Sequence, residues 1–141
     1  MKTVAMTGPR KKALVLTSDS LRHRYFLSQI ASSFDVVGAM SEPKRNYFND
    51  VRERSPEVEA HFVNLAKAES LMFSPNDSQA SKAEVDSIVV EDINTADAVA
   101  AAKSLKPDVI CLFGTSILKT PWLEAFPDRI VNLHLGLSPY Y

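Results

Sequence analysis

Asn132 and His134 stand two positions apart in the apolar stretch Ile130-Val131-Asn132-Leu133-His134-Leu135. On a strand, residues i and i+2 project from one face, so this spacing predicts an amide and an imidazole on the same side of a sheet. An amide donor beside an imidazole can stabilise a negatively charged oxygen while a proton moves. The same two side chains also suit plain hydrogen-bonded structure, since buried polar groups are normally satisfied. A second candidate is Thr17-Ser18-Asp19-Ser20, which follows the apolar run Ala13-Leu14-Val15-Leu16. Its hydroxyls and carboxylate fit a helix cap, and together with helix N–H groups they could hold a phosphate. A third is Gly114-Thr115-Ser116, after the apolar run Val109-Ile110-Cys111-Leu112-Phe113. The remaining glycines, Gly8, Gly38 and Gly136, are scattered, so neither a G-x-G-x-x-G turn nor a Walker A loop occurs. His23 and His61 lack a second ligand at metal-binding spacing, and no metal site is expected.

The elements that must position these residues follow from periodicity. Residues 13–16 read as a first strand, and Ser18, Asp19 or Ser20 as the cap of a helix whose buried stripe is Leu27, Ile30, Ala31 and Phe34. Residues 35–40 form a second strand. The polar stretch 41–54 is too charged and irregular for the core and reads as a surface insertion. Ser55-Pro56-Glu57 combines an N-cap serine, proline at the first helical position and an acid facing the positive helix end. Val58, Phe62, Leu65, Ala66, Met72 and Phe73 are expected to form that helix's apolar side, ending before Ser74-Pro75-Asn76-Asp77. A third strand is expected over 85–90, then an alanine-rich helix capped by Asn94 or Thr95 and stopped at Lys106-Pro107. Residues 109–113 form a fourth strand, Thr120-Pro121 opens a short helix stopped by Pro127, and residues 130–135 form a fifth strand. This βα alternation predicts an α/β fold: a Rossmann-like, mostly parallel open sheet with helices on both faces. In such sheets ligands bind beyond the carboxyl ends of the strands, which is where all three candidate segments fall.

Composition sets outer limits. The chain has 141 residues, 45% hydrophobic and 23% charged, and a formal net charge of −1 from 16 basic and 17 acidic residues. This suits one soluble domain and offers no global attraction to nucleic acid or an anionic membrane. No apolar run approaches the roughly 20 residues that span a bilayer, and the opening decapeptide lacks a secretory apolar core. A cytoplasmic protein is expected, with residues 1–10 a poorly ordered extension before the domain of residues 11–141. Cys111, the single cysteine, reads as a small buried hydrophobe. Arg22-His23-Arg24 and Lys44-Arg45 suit either phosphate contacts or a solvated face.

The end of the chain, Asn132-Leu133-His134-Leu135-Gly136-Leu137-Ser138-Pro139-Tyr140-Tyr141, resembles the signature of folate-dependent formyltransferases. In that family Asn-x-His at a strand end precedes a Ser/Leu/Pro-Tyr loop. Residues 106–118, opening Lys106-Pro107-Asp108, look like the family's "PD" strand and folate-lining loop, so the likeness covers most of residues 92–141. It implies that Asn132 donates to the formyl oxygen of 10-formyltetrahydrofolate and that His134 stabilises the same oxygen or assists proton transfer. It further implies that Phe113, Gly114, Thr115, Ser116, Ile117 and Leu118 meet the pterin, and that Ser138 and Tyr140 begin a loop over the site. Thr17, Ser18, Asp19 and Ser20 are then candidates for holding the acceptor, a small amine on an amino sugar or sugar nucleotide. The family's Arg-Gly and a later aspartate do not occur in residues 1–141. The expectation is therefore an incomplete formyltransferase domain, ending after its fifth strand and with little activity alone. That fifth strand, apolar on both faces, would expose an edge suited to pairing with a second copy. The alternatives are a formyltetrahydrofolate hydrolase and a non-catalytic half-domain that binds folate or a partner.

Overall fold

The computed structural model describes residues 8–43, 55–73, 85 and 87–135. Its elements run β1 (Lys12–Thr17), α1 (Leu21–Ser33), β2 (Asp35–Ser41), α2 (Pro56–Met72), β3 (Ile88–Val89), α3 (Ala96–Leu105), β4 (Val109–Leu112), α4 (Thr120–Ala125) and β5 (Ile130–Asn132). The five strands form one all-parallel sheet in the order β3-β2-β1-β4-β5. The direction of strand order reverses between β1 and β4, which opens a crevice beyond their carboxyl ends.

β1 is central, flanked on both sides and covered on both faces, which explains its unbroken apolar sequence. Strand alternation sends Leu14 and Leu16 to one face, where they pack with Ile110, Leu112, Ala98 and Val99 of α3, Trp122 of α4 and Phe126 just after it. Ala13 and Val15 point the other way, against Leu27, Phe26 and Ile30 of α1 and Cys111 of β4. Each such fully buried aliphatic side chain contributes about 1.5–3 kcal/mol. Trp122, fully buried, donates its Nε1–H to the Ile93 carbonyl at 2.8 Å, which fixes α4 to the turn before α3.

Local signals explain the helix ends. Ser55 accepts from the Val58 amide, with Pro56 at the first helical position, and Thr95 accepts from Ala98. Ser20 takes the N-cap position of α1, but its hydroxyl bonds the His23 ring and not a backbone amide.

Four expectations need correction. Ser41 belongs to β2 and Glu42 after it is buried, so the polar stretch does not leave the core at residue 41; residues 44–54 lie outside the described ones. The apolar side of α2 is only partly covered: Val58 and Leu65 are each 37% exposed and Met72 is 68% exposed. Its one buried residue is Glu69, which interrupts the apolar stripe and pairs with Arg22 of α1. β3 shrinks to Ile88–Val89 because only Met40 and Ser41 at the end of β2 pair with it. β5 stops at Asn132 because its neighbour β4 stops at Leu112; Leu133 makes the last bond of the ladder, N–H to the Leu112 carbonyl at 2.9 Å. Beyond it Gly114 turns away with φ +86°. Residues 8–10 are exposed and outside regular structure, and residues 1–7 and 136–141 are not among the described ones.

Candidate functional site

A cleft of about 440 Å³ opens at the carboxyl end of the sheet. Its floor and one wall are Leu112, Phe113, Gly114, Thr115, Ser116, Ile117 and Leu118; Asn132, Leu133, His134 and Leu135 form a second wall, and Arg22, His23, Glu42 and Pro43 the rest. The volume lies within the range of small-molecule sites, roughly 300–1,000 Å³. The two candidate catalytic side chains and all six residues of the fourth-strand loop therefore border one space.

Asn132 is the last residue of β5 and is exposed; His134 lies past the strand's end and is also exposed. Asn132 at the end of the strand and His134 two residues further on both border the cleft. Ser138 and Tyr140 lie outside the described residues.

The loop after β4 is held from several sides. The Phe113 amide donates to the Leu16 carbonyl at 2.9 Å, and the Thr17 hydroxyl donates to the Phe113 carbonyl at 2.9 Å. Glu42 accepts from the Ser116 amide at 2.8 Å and from the Ser116 hydroxyl. Asn94 donates from Nδ2 to the Ile117 carbonyl at 3.0 Å and accepts the Lys119 amide at 2.8 Å.

The segment after β1 is placed differently from the loop. Thr17 and Ser18 are buried, and Thr17 is committed to Phe113. Ser18 donates to Asp19 Oδ1 at 3.3 Å, and Ser20 bonds His23 Nδ1. None of the four borders the cleft; the residues that reach it from this side are Arg22 and His23, in the first turn of α1.

Sequence reasoning missed Glu42, and it read His23 as part of a phosphate-contacting or solvated basic run, not as a buried residue. His23 is fully buried, with its ring centroid 4.8 Å from that of Phe113. The available signal was Ser20-x-x-His23, the spacing that returns a side chain to the helix start. For Glu42 the signal was an acid immediately after an apolar strand at the ligand-binding edge. Arg22 pairs with Glu69, and burial pushes its guanidinium below the usual arginine range. Among the described residues no group of three His, Cys, Asp or Glu side chains is placed to hold a metal ion, and no helix is long and apolar enough to cross a membrane.

No protein-family model matches the sequence, and no curated protein matches it. Among solved structures, the phosphoribosylglycinamide formyltransferase from Streptococcus pneumoniae TIGR4 superposes with a TM-score of 0.52 at 22% identity, over 92% of this chain. The two share a fold, the Rossmann-like α/β sheet of a formyltransferase. The present chain spans 59% of the length of that structure.

Proposed function

We propose that the protein is a formyltransferase that moves a formyl group from 10-formyltetrahydrofolate to a primary amine of an amino sugar or sugar nucleotide. The reading is carried by one observation: Asn132, His134 and the 113–118 loop border a single cleft. It is supported by a fold shared with a phosphoribosylglycinamide formyltransferase.

The residues present suit a folate. Phe113, Ile117, Leu118 and Leu135 offer apolar surface to a flat ring. Among the described residues, the amides of Gly114 and Thr115 donate to no protein group and are left for a ligand's acceptors. The folate supplies an electrophilic formyl carbon when bound. As an amine attacks that carbon, negative charge grows on the formyl oxygen, and the Asn132 side-chain N–H is the donor to receive it. His134 donates to the same oxygen or relays the proton that the attacking amine loses to the folate nitrogen, whose bond to the formyl carbon breaks as the group is transferred. Removing one such donor typically slows acyl transfer by about 10²–10³.

The test is to supply the chain with 10-formyltetrahydrofolate and a panel of amino sugars and nucleotide-linked amino sugars, and to analyse the products by mass spectrometry. An N-formylated amine with stoichiometric tetrahydrofolate is expected. Formate without a formylated amine would make it a hydrolase, and binding without turnover a binding module.

A further inference from the structure

We propose that Glu42 is a positioning residue for the folate pocket, its carboxylate holding the 113–118 loop in the shape that turns the Gly114 and Thr115 amides to the ligand. The inference rests on the formyltransferase reading above.

Glu42 leaves the end of β2 directly into the cleft wall and is 5% exposed. Its Oε2 accepts the Ile93 amide at 2.7 Å, and its Oε1 accepts the Ser116 amide at 2.8 Å together with the Ser116 hydroxyl. Among the described residues no cation pairs with it. A buried carboxylate is costly unless its charge is met by donors, and these three meet it. They come from two segments that are far apart in sequence, the turn before α3 and the loop after β4, so the carboxylate acts as a cross-link between them.

Two neighbours work in parallel. Asn94 ties the first segment to Ile117 and Lys119, and Trp122 donates to the Ile93 carbonyl. The bonds from Glu42 and Asn94 grip the loop at Ser116 and Ile117, and those from Thr17 and Leu16 hold it at Phe113, so Gly114 and Thr115 lie between the two grips. The loop is thus fixed on either side of Gly114 and Thr115, whose amides are uncommitted among the described residues. A loop held this way does not have to be ordered when ligand arrives, which raises affinity.

The chemistry requires a carboxylate. Each oxygen faces an N–H, so both ends of the group must accept. A glutamine of the same size would set its own NH₂ against one of the two amides and lose that bond.

The experiment is calorimetric titration of the chain with 5-formyltetrahydrofolate, comparing the wild type, Glu42→Gln, Ser116→Ala and, as a surface control, Glu124→Gln. Hydrogen exchange on each variant reports whether the β1 and β4 amides stay protected. Glu42→Gln is expected to bind about tenfold more weakly or worse, as the loss of one charge-assisted hydrogen bond implies. Its core protection should be kept while that of the Ile93 or Ser116 amide falls, a split that general destabilisation would not produce. Equal affinity in Glu42→Gln and wild type overturns the role of Glu42 and leaves the formyltransferase reading standing. Absence of binding by the wild type overturns both. If Glu42→Gln does not fold, Ser116→Ala decides, since it removes only the hydroxyl donor: weaker binding is expected, and unchanged binding overturns the inference.

Discussion

Gly114 passes so close to the ring of His23 that a Cβ on it would stand 2.1 Å from Nε2, far inside contact distance. Its φ of +86° independently disfavours any side chain. Both constraints act at the first turn of the cleft wall, where His23 is itself pinned by Ser20 and Phe113.

Gly114→Ala is therefore expected to destabilise the protein by about 1–3 kcal/mol from backbone strain alone, with the displaced imidazole adding to it. Urea unfolding measures the loss. Gly38→Ala is the comparison: its Cβ would clash with Cδ1 of Leu105 at 2.6 Å, the far end of a flexible side chain, while Leu14 Cδ1 stands at an ordinary 3.5 Å. The Gly38 variant should lose less, and equal losses would contradict the argument.

Asn132 and His134 are both exposed, so alanine at either position should leave the unfolding midpoint nearly unchanged. Formyl transfer should fall by about 10²–10³ in Asn132→Ala, as for removal of an oxyanion donor. Steady-state turnover with a formyl acceptor, beside a urea melt of the same preparations, separates the two effects. Wild-type turnover in both variants would remove them from the chemistry.

The Arg22–Glu69 pair is the one ion pair among the described residues, and it joins α1 to the only buried residue of α2. Its side chains are 21% and 11% exposed, so its coupling should fall between surface and buried pairs, about 1–2 kcal/mol in a double-mutant cycle. Hydrogen exchange on Glu69→Ala should show protection lost throughout α2 and kept in β1 and β4. Uniform loss across the sheet would show that α2 belongs to the core.

Burial pushes the Cys111 thiol above its ordinary range. The folded protein should therefore react slowly with a disulfide reagent at pH 8, and the urea-unfolded chain at the free-thiol rate. Because the unfolded thiol ionises first, stability should fall as pH climbs through and beyond the ordinary thiol range. Below that range both states hold the proton and the effect vanishes. Cys111→Ala should flatten this alkaline slope, and an unchanged slope in that variant would contradict the assignment.

What could be read from the sequence follows burial. Ala13-Leu14-Val15-Leu16 announces a central strand because both of its faces and both of its edges are covered, and the ends of α3 are plain from its Thr95 cap and Pro107 stop. The edge strands β3 and β5 come out shorter than their apolar runs: β5 stops where its neighbour β4 stops, and β3 pairs only with the last two residues of β2, and no local pattern encodes either. In α2 the apolar spacing is genuine, but Glu69 sits within it, and the helix meets the body through that charge. Asn132 and His134 border the cleft together with the 113–118 loop. Glu42 was missed because its partners lie 51 and 74 residues away in sequence, so its role exists only after folding.

The position of β1 between β2 and β4 also fixes a timetable. The hydroxyl of Thr17 waits for the carbonyl of Phe113, 96 residues later. On a ribosome adding about 5–20 residues each second, the strand at the centre of the sheet stays open along one edge for about 5–20 s after it is made. During that interval the most apolar segment of the protein has a neighbour on one side only. Chaperone capture of the nascent chain should accordingly peak before β4 emerges and fall sharply once it has.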